Sequence, residues 1–191
     1  MNFIGNLLFR ISMVLIGFIY ILTSPIAAIS TKFARKATMI WLSSIIFCSK
    51  IFCGIKIKIH NDNFRNKKSI IVASNHCSAW ETFFISHYYN VPVFILKKSL
   101  TEIPLIKIFI KKFNMIGIDR DSYSKKNISN IIKNANATLK LGNNIVIFPQ
   151  GTRVPIEETY NYKQYPYKSG VAMFASGKSV LTISTSSGRC D

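Results

Sequence analysis

The chain has 191 residues, 49% hydrophobic and 13% aromatic, with 25 Lys and Arg against 8 Asp and Glu, a formal charge of +17. That length holds one domain with a sizeable core, and that apolar content excludes a disordered chain. The charge calls for an anionic partner, and a mean hydropathy of +0.24 favours a membrane surface over a nucleic acid.

Between Arg10 and Lys32 runs ISMVLIGFIYILTSPIAAIST, 21 residues without a charge. As a helix it would be roughly 31 Å long, enough to cross a bilayer core. Pro25 should kink or end it. The run is long for a signal peptide and no A-x-A site follows, so an anchor is expected. Lys32, Arg35 and Lys36 follow it and only Arg10 precedes it. That bias puts the C-terminal side in the cytoplasm, so the expected location is the inner membrane. The next stretch, ATMIWLSSIIFCSKIFCG, has 13 uncharged residues before Lys50. It is short for a crossing and predicts an interfacial or re-entrant helix packed on the first. Residues 1–54 are expected to attach the chain to the membrane, and 55–191 to form a second domain.

From Gly54 the pattern changes. IKIKIH (55–60) alternates apolar and basic and predicts a half-exposed strand. SIIVAS (69–74), VPVFILK (91–97), MIGI (115–118), NIVIFP (144–149) and SVLTIS (179–184) predict further strands. WETFFISHYY (80–89), EIPLIKIFIKKF (102–113), 124–141 and YKSGVAMFASGK (167–178) predict helices. The alternation predicts an α/β fold, a mostly parallel sheet flanked by helices. The 150s and 160s predict a long loop. The cysteines Cys48, Cys53, Cys77 and Cys190 form no C-x-x-C pair, so no metal site and a reducing compartment are expected.

Three clusters stand at predicted strand ends, where open α/β sheets bind ligands. The first is SNHCSAWETFF. On one continuous helix His76 and Glu81 would face apart. They meet only if His76 stays in the loop and Glu81 lies in the first helical turns. Then the carboxylate holds one imidazole nitrogen and the other can take a proton. On this stretch alone a surface histidine and a helix-start carboxylate is the plainer interpretation. The second is GIDRDS, where Arg120 can fork onto a phosphate or merely pair with Asp119. The third is VIFPQGTR, where Gly151 admits a close backbone, Thr152 offers a hydroxyl and Arg153 a bidentate fork.

In order, NH-x4-E-T, KK-x-L with IP, G-x-DR and FP-x-GTR resemble the PlsC-type 1-acyl-sn-glycerol-3-phosphate acyltransferases, over roughly residues 56 to 188. The resemblance implies a His-x4-acid catalytic dyad at His76 and Glu81. It implies head-group binding at Gly117, Arg120, Gln150, Gly151, Thr152 and Arg153, with the basic Lys97 facing the same cleft. It implies acyl transfer to the sn-2 hydroxyl of lysophosphatidic acid, giving phosphatidic acid. The partners implied are a phospholipid bilayer, the lysophosphatidic acid and an acyl donor, either acyl-CoA or an acyl carrier protein thioester. No cofactor is implied, and no nucleic acid, since no motif for one appears.

Glu81 stands where the family usually has Asp, Gln150 where it has Glu, and Thr182 where its fourth block has Pro. The chain stops at SSGRCD, where family members continue with further strands and a helix, so a truncated sheet lacking a closing edge is expected. Two alternatives stay open: a lysophospholipid acyltransferase with another head group, and an inactive membrane-bound remnant.

Overall fold

The computed structural model describes residues 3–60, 62–103, 106–119, 125–168 and 178–183. They fall into two compact units. One holds residues 1–66, 83–91 and 103–113; the other holds 67–82, 92–102 and 114–191.

The first unit is helical. Helix α1 (Phe3–Leu22) ends before Thr23, and α2 (Ser24–Ile29) restarts with Pro25 in its first turn, where a missing N–H costs nothing. Proline thus breaks the apolar run, as expected. Helix α3 (Thr31–Cys53) begins with the Ser30 hydroxyl accepting from Phe33 N–H and ends at Gly54, whose φ of 65° is the left-handed turn that glycine favours. It is longer than its uncharged stretch because Lys32, Arg35, Lys36 and Lys50 all lie within it. By length and composition both α1 and α3 could cross a membrane. They pack on each other, and at Gly5 a Cβ would come within 2.2 Å of the Phe52 carbonyl oxygen, so a side chain there is excluded. The Tyr20 ring stacks on Trp41 at 4.6 Å and on Phe109 at 4.4 Å, while Trp41 meets Phe83 edge-on. Arg35 donates to the Asn90 carbonyl and lies 5.6 Å over the Phe113 ring. One side of α3 is therefore occupied by protein. By contrast α1 buries none of its residues, and Phe3, Val14, Phe18, Ile19 and Leu22 stand exposed.

The expected strand at 55–60 does not form; those residues are irregular. Alternation specifies a strand only where a sheet edge can pair with it. The described residues of this unit contain no strand, and Ile55 N–H instead donates to Ser49 O at the end of α3.

The second unit is a five-stranded sheet: β1 (Ile71–Ser74), β2 (Val93–Lys97), β3 (Ile116–Ile118), β4 (Ile145–Ile147) and β5 (Val180–Ile183). The order is β3-β2-β4-β1-β5 and every pairing is parallel. All C-terminal strand ends consequently share one edge. Ile71, Ala73, Val93, Ile95, Ile116, Ile145 and Ile147 line one face with Ala135 and Leu139 of α6 (Lys125–Lys140). Apart from an exposed Ala137, that helix is polar outside the stripe Ile128, Ile131, Ile132, Ala135 and Leu139, spaced at three to four residues. Each buried Ile or Leu contributes up to about 1.5–3 kcal/mol. Val72, Phe94 and Val146 are buried on the other face, as a two-sided parallel sheet requires. After β1 comes α4 (Trp80–Tyr88), and after β2 a 3-10 turn (Lys98–Glu102). The stretch 102–113 is not one helix: α5 is shorter, Ile106–Lys112. The helix expected at 167–178 lies almost wholly outside the described residues.

Candidate active site

The sheet edge brings the first and third sequence clusters together. His76 lies in the loop after β1, and Glu81 is the second residue of α4. This is the geometry that the five-residue spacing demanded. His76 Nδ1 is 2.8 Å from Glu81 Oε1, with side chains 18% and 4% exposed. The carboxylate also accepts from Cys77 N–H at 2.7 Å, from Ser78 N–H at 2.8 Å and from the Ser78 hydroxyl at 2.6 Å. Burial alone would raise the Glu81 pKa. The hydrogen bonds from His76, from the Ser78 hydroxyl and from the backbone outweigh it and hold the carboxyl below its ordinary value. With Nδ1–H donating to Glu81, Nε2 is left as the proton acceptor.

A carboxyl depressed in the folded state adds stability above its unfolded pKa and loses that contribution as pH falls through the folded value. We therefore expect amide protection at 76–82 to survive acidification through the ordinary carboxylate range, near pH 4, and to fail only below it. Hydrogen–deuterium exchange, corrected for intrinsic rates, measures this. Glu81→Gln should remove the acid transition.

The block after β4 folds over the same loop. Val154 N–H donates to the His76 carbonyl at 2.8 Å, and the Phe148 ring stacks on the imidazole at 4.1 Å. Gly151 has a φ of 69°, which explains its glycine. Gln150 is buried; its Nε2 donates to Thr159 O at 3.3 Å and, among the described residues, its Oε1 meets no donor. Thr152 and Arg153 are exposed at this edge. Lys97 ends β2, exposed, in register with Ile118 of β3. At Gly117 a Cβ would come 3.1 Å from Thr101 Cγ2, so that glycine lets the 3-10 turn approach β3. Arg120 lies outside the described residues. Among the described residues no group of three or more His, Cys, Asp or Glu could hold a metal.

Ser78, Phe148, Thr159 and Asn75 join the site without having been expected from sequence. Ser78 had a signal. SAWE is a capping-box pattern, in which Glu81 reaches back to the Ser78 N–H just ahead of the helix. For the ring stacking of Phe148 the sequence offers none.

A family model described as Acyltransferase matches residues 56–185. A 1-acyl-sn-glycerol-3-phosphate acyltransferase of Pseudomonas aeruginosa is 27% identical over 167 residues, covering 87% of this chain and 63% of that protein. Proteins of the same name from Helicobacter pylori and Saccharomyces cerevisiae are 28% and 24% identical, covering 67% and 89% of this chain. The chain spans 52% and 57% of their lengths. In fold it is similar to the crystal structure of the 1-acyl-sn-glycerophosphate (LPA) acyltransferase PlsC from Thermotoga maritima. The TM-score is 0.57 at 22% identity, over 78% of this chain and 62% of that one.

Proposed function

The chain belongs to the acyltransferase family, and on that premise we propose that it moves a fatty acyl group from a thioester to the sn-2 hydroxyl of lysophosphatidic acid, forming phosphatidic acid. The observation that carries the proposal is the His76–Glu81 contact, which with Nδ1–H donating turns Nε2 into the acceptor at the edge where the strand ends converge. His76 Nε2 takes the hydroxyl proton while the oxygen attacks the thioester carbonyl. The tetrahedral intermediate then collapses, the C–S bond breaks, and the proton passes from His76 to the departing thiolate. Glu81 stabilises the imidazolium that exists between those two transfers. No acyl-enzyme and no cofactor enter this scheme. The donor is acyl-CoA or an acyl carrier protein thioester.

Arg153, exposed beside the His76 loop, binds the acceptor phosphate together with Arg120 and Lys97. Gly151 and Thr152 shape that subsite. The relatives' shared name supports this choice of acceptor. The apolar α1 and α3 hold the chain in the inner membrane. With α3 lying in the same leaflet instead of crossing, the basic residues that follow α1 and the catalytic unit stay on one side, the cytoplasmic.

Phosphatidic acid synthesis by the full chain in vesicles tests the proposal; no product with either donor would overturn it. Within that assay Arg153→Ala should lose about 2–3 kcal/mol of phosphate binding, roughly a hundredfold in kcat/KM. An uncharged monoacylglycerol acceptor should lose far less. Equal losses would make Arg153 structural.

A further inference from the structure

The loop between β4 and β5 carries an exposed aromatic cluster that the acyl-transfer chemistry does not use. Tyr160, Tyr162 and Tyr167 are 66%, 50% and 48% exposed. Their rings nevertheless touch one another. Tyr162 meets Tyr160 at 6.5 Å and 75°, and Tyr167 at 5.3 Å and 82°. Edge-to-face packing narrows their rotamers before any partner arrives, so less side-chain entropy is lost on docking. Tyrosine has an apolar body and a polar tip, the combination enriched at the membrane–water boundary. Lys163 is exposed within the cluster and Lys168 follows it, offering cations to lipid phosphates.

The cluster is fastened to the site. The Tyr167 hydroxyl donates to Asn75 Oδ1 at 3.2 Å, one residue before His76. Lys168 N–H donates to Pro149 O at 2.9 Å, beside the block that ends in Arg153.

We propose that Tyr160, Tyr162, Tyr167 and Lys163 form a second membrane contact, entering the headgroup layer of an anionic bilayer and holding the His76 edge of the sheet against it. A bilayer is the occupant favoured here because the same chain carries two helices long and apolar enough to cross one. Once those helices are in place the loop meets the surface at high effective concentration, so a weak contact suffices. A lipid acceptor lying in that layer would then reach His76 without leaving it. The inference rests on membrane attachment and not on the acyl-transfer scheme.

The test uses the full chain in vesicles of phosphatidylglycerol and phosphatidylcholine doped with a lipid carrying a nitroxide on its head group. Tyr162→Trp adds emission to that of Trp41 and Trp80. The added emission should be quenched. Asn143→Trp, exposed two residues before β4 at the opposite sheet edge, is the control and should not be quenched. Equal quenching of the two, or none at Tyr162→Trp, would overturn the contact and leave the cluster to a soluble partner. Lys163→Glu in the Tyr162→Trp background should weaken surface engagement at least about fivefold, the worth of one lysine near an anionic surface. Unchanged quenching there would overturn the lysine's part. Neither measurement needs an active enzyme, so failure of the acyl-transfer assay leaves both results intact.

Discussion

Replacing His76 by alanine is expected to lower phosphatidic acid synthesis about 10²- to 10⁴-fold, the usual cost of removing a general base. The histidine is placed for that loss to be chemical. Its Nδ1 is committed to Glu81, its ring lies on Phe148, and its backbone carbonyl, not its side chain, receives the Val154 N–H. Alanine keeps the carbonyl and so keeps the tie between the two strand-end loops. Membrane association, proposed here to rest on α1 and α3, should be unchanged in flotation. KM for lysophosphatidic acid should move little, because the proton transfer belongs to the transition state. A variant within threefold of the parent would rule out His76 as the base.

Glu81→Gln should cost nearly as much, about 10³-fold. The amide removes the negative charge that stabilises the imidazolium, while its oxygen stays on Nδ1–H. Gln can still satisfy Cys77 N–H and Ser78 N–H through its oxygen, so the fold should survive and the loss should appear in kcat. Glu81→Asp restores the residue usual at this place in PlsC-type enzymes, but here the acid is one methylene too short for a backbone already settled around Glu. It should keep activity well above Gln and below the parent. Parallel assays of the three forms in vesicles measure the order. A Gln form as active as the parent would reduce Glu81 to a helix-start carboxylate.

Much of the sheet was legible in the sequence because its signals are local. Short apolar runs such as IVAS and NIVIFP, ended by Asn75 or Pro149, have little choice but to be buried strands. IKIKIH failed for the complementary reason: alternation states which face would be buried but not whether an edge exists to pair with. The helix over 102–113 was overdrawn because the 3-10 turn at Lys98–Glu102, which Gly117 lets approach β3, is set by tertiary packing and not by periodicity. At the site, His76 and Glu81 were singled out by the resemblance of their block to the PlsC-type pattern, since type and spacing alone favoured a surface histidine and a helix-start carboxylate. Phe148 and Asn75 were not, since stacking and a hydroxyl contact from Tyr167 arise only when distant loops meet. Ser78 was overlooked although its capping pattern was in plain view.

Enzymes commonly trade stability for activity, because catalytic groups are strained or left unsatisfied, and their removal then makes the protein more robust. Glu81 reverses that relation. The carboxylate that holds the His76 imidazole also closes the first turn of α4, accepting from Ser78 and Cys77. Drift toward a more stable but idle protein is therefore closed at this position: most replacements that silence the dyad also fray the helix start. A lineage that no longer needed the reaction would keep Glu81 for architecture alone, whereas His76, whose side chain gives only the stack on Phe148 and one of the carboxylate's several hydrogen bonds, would be freer to change first.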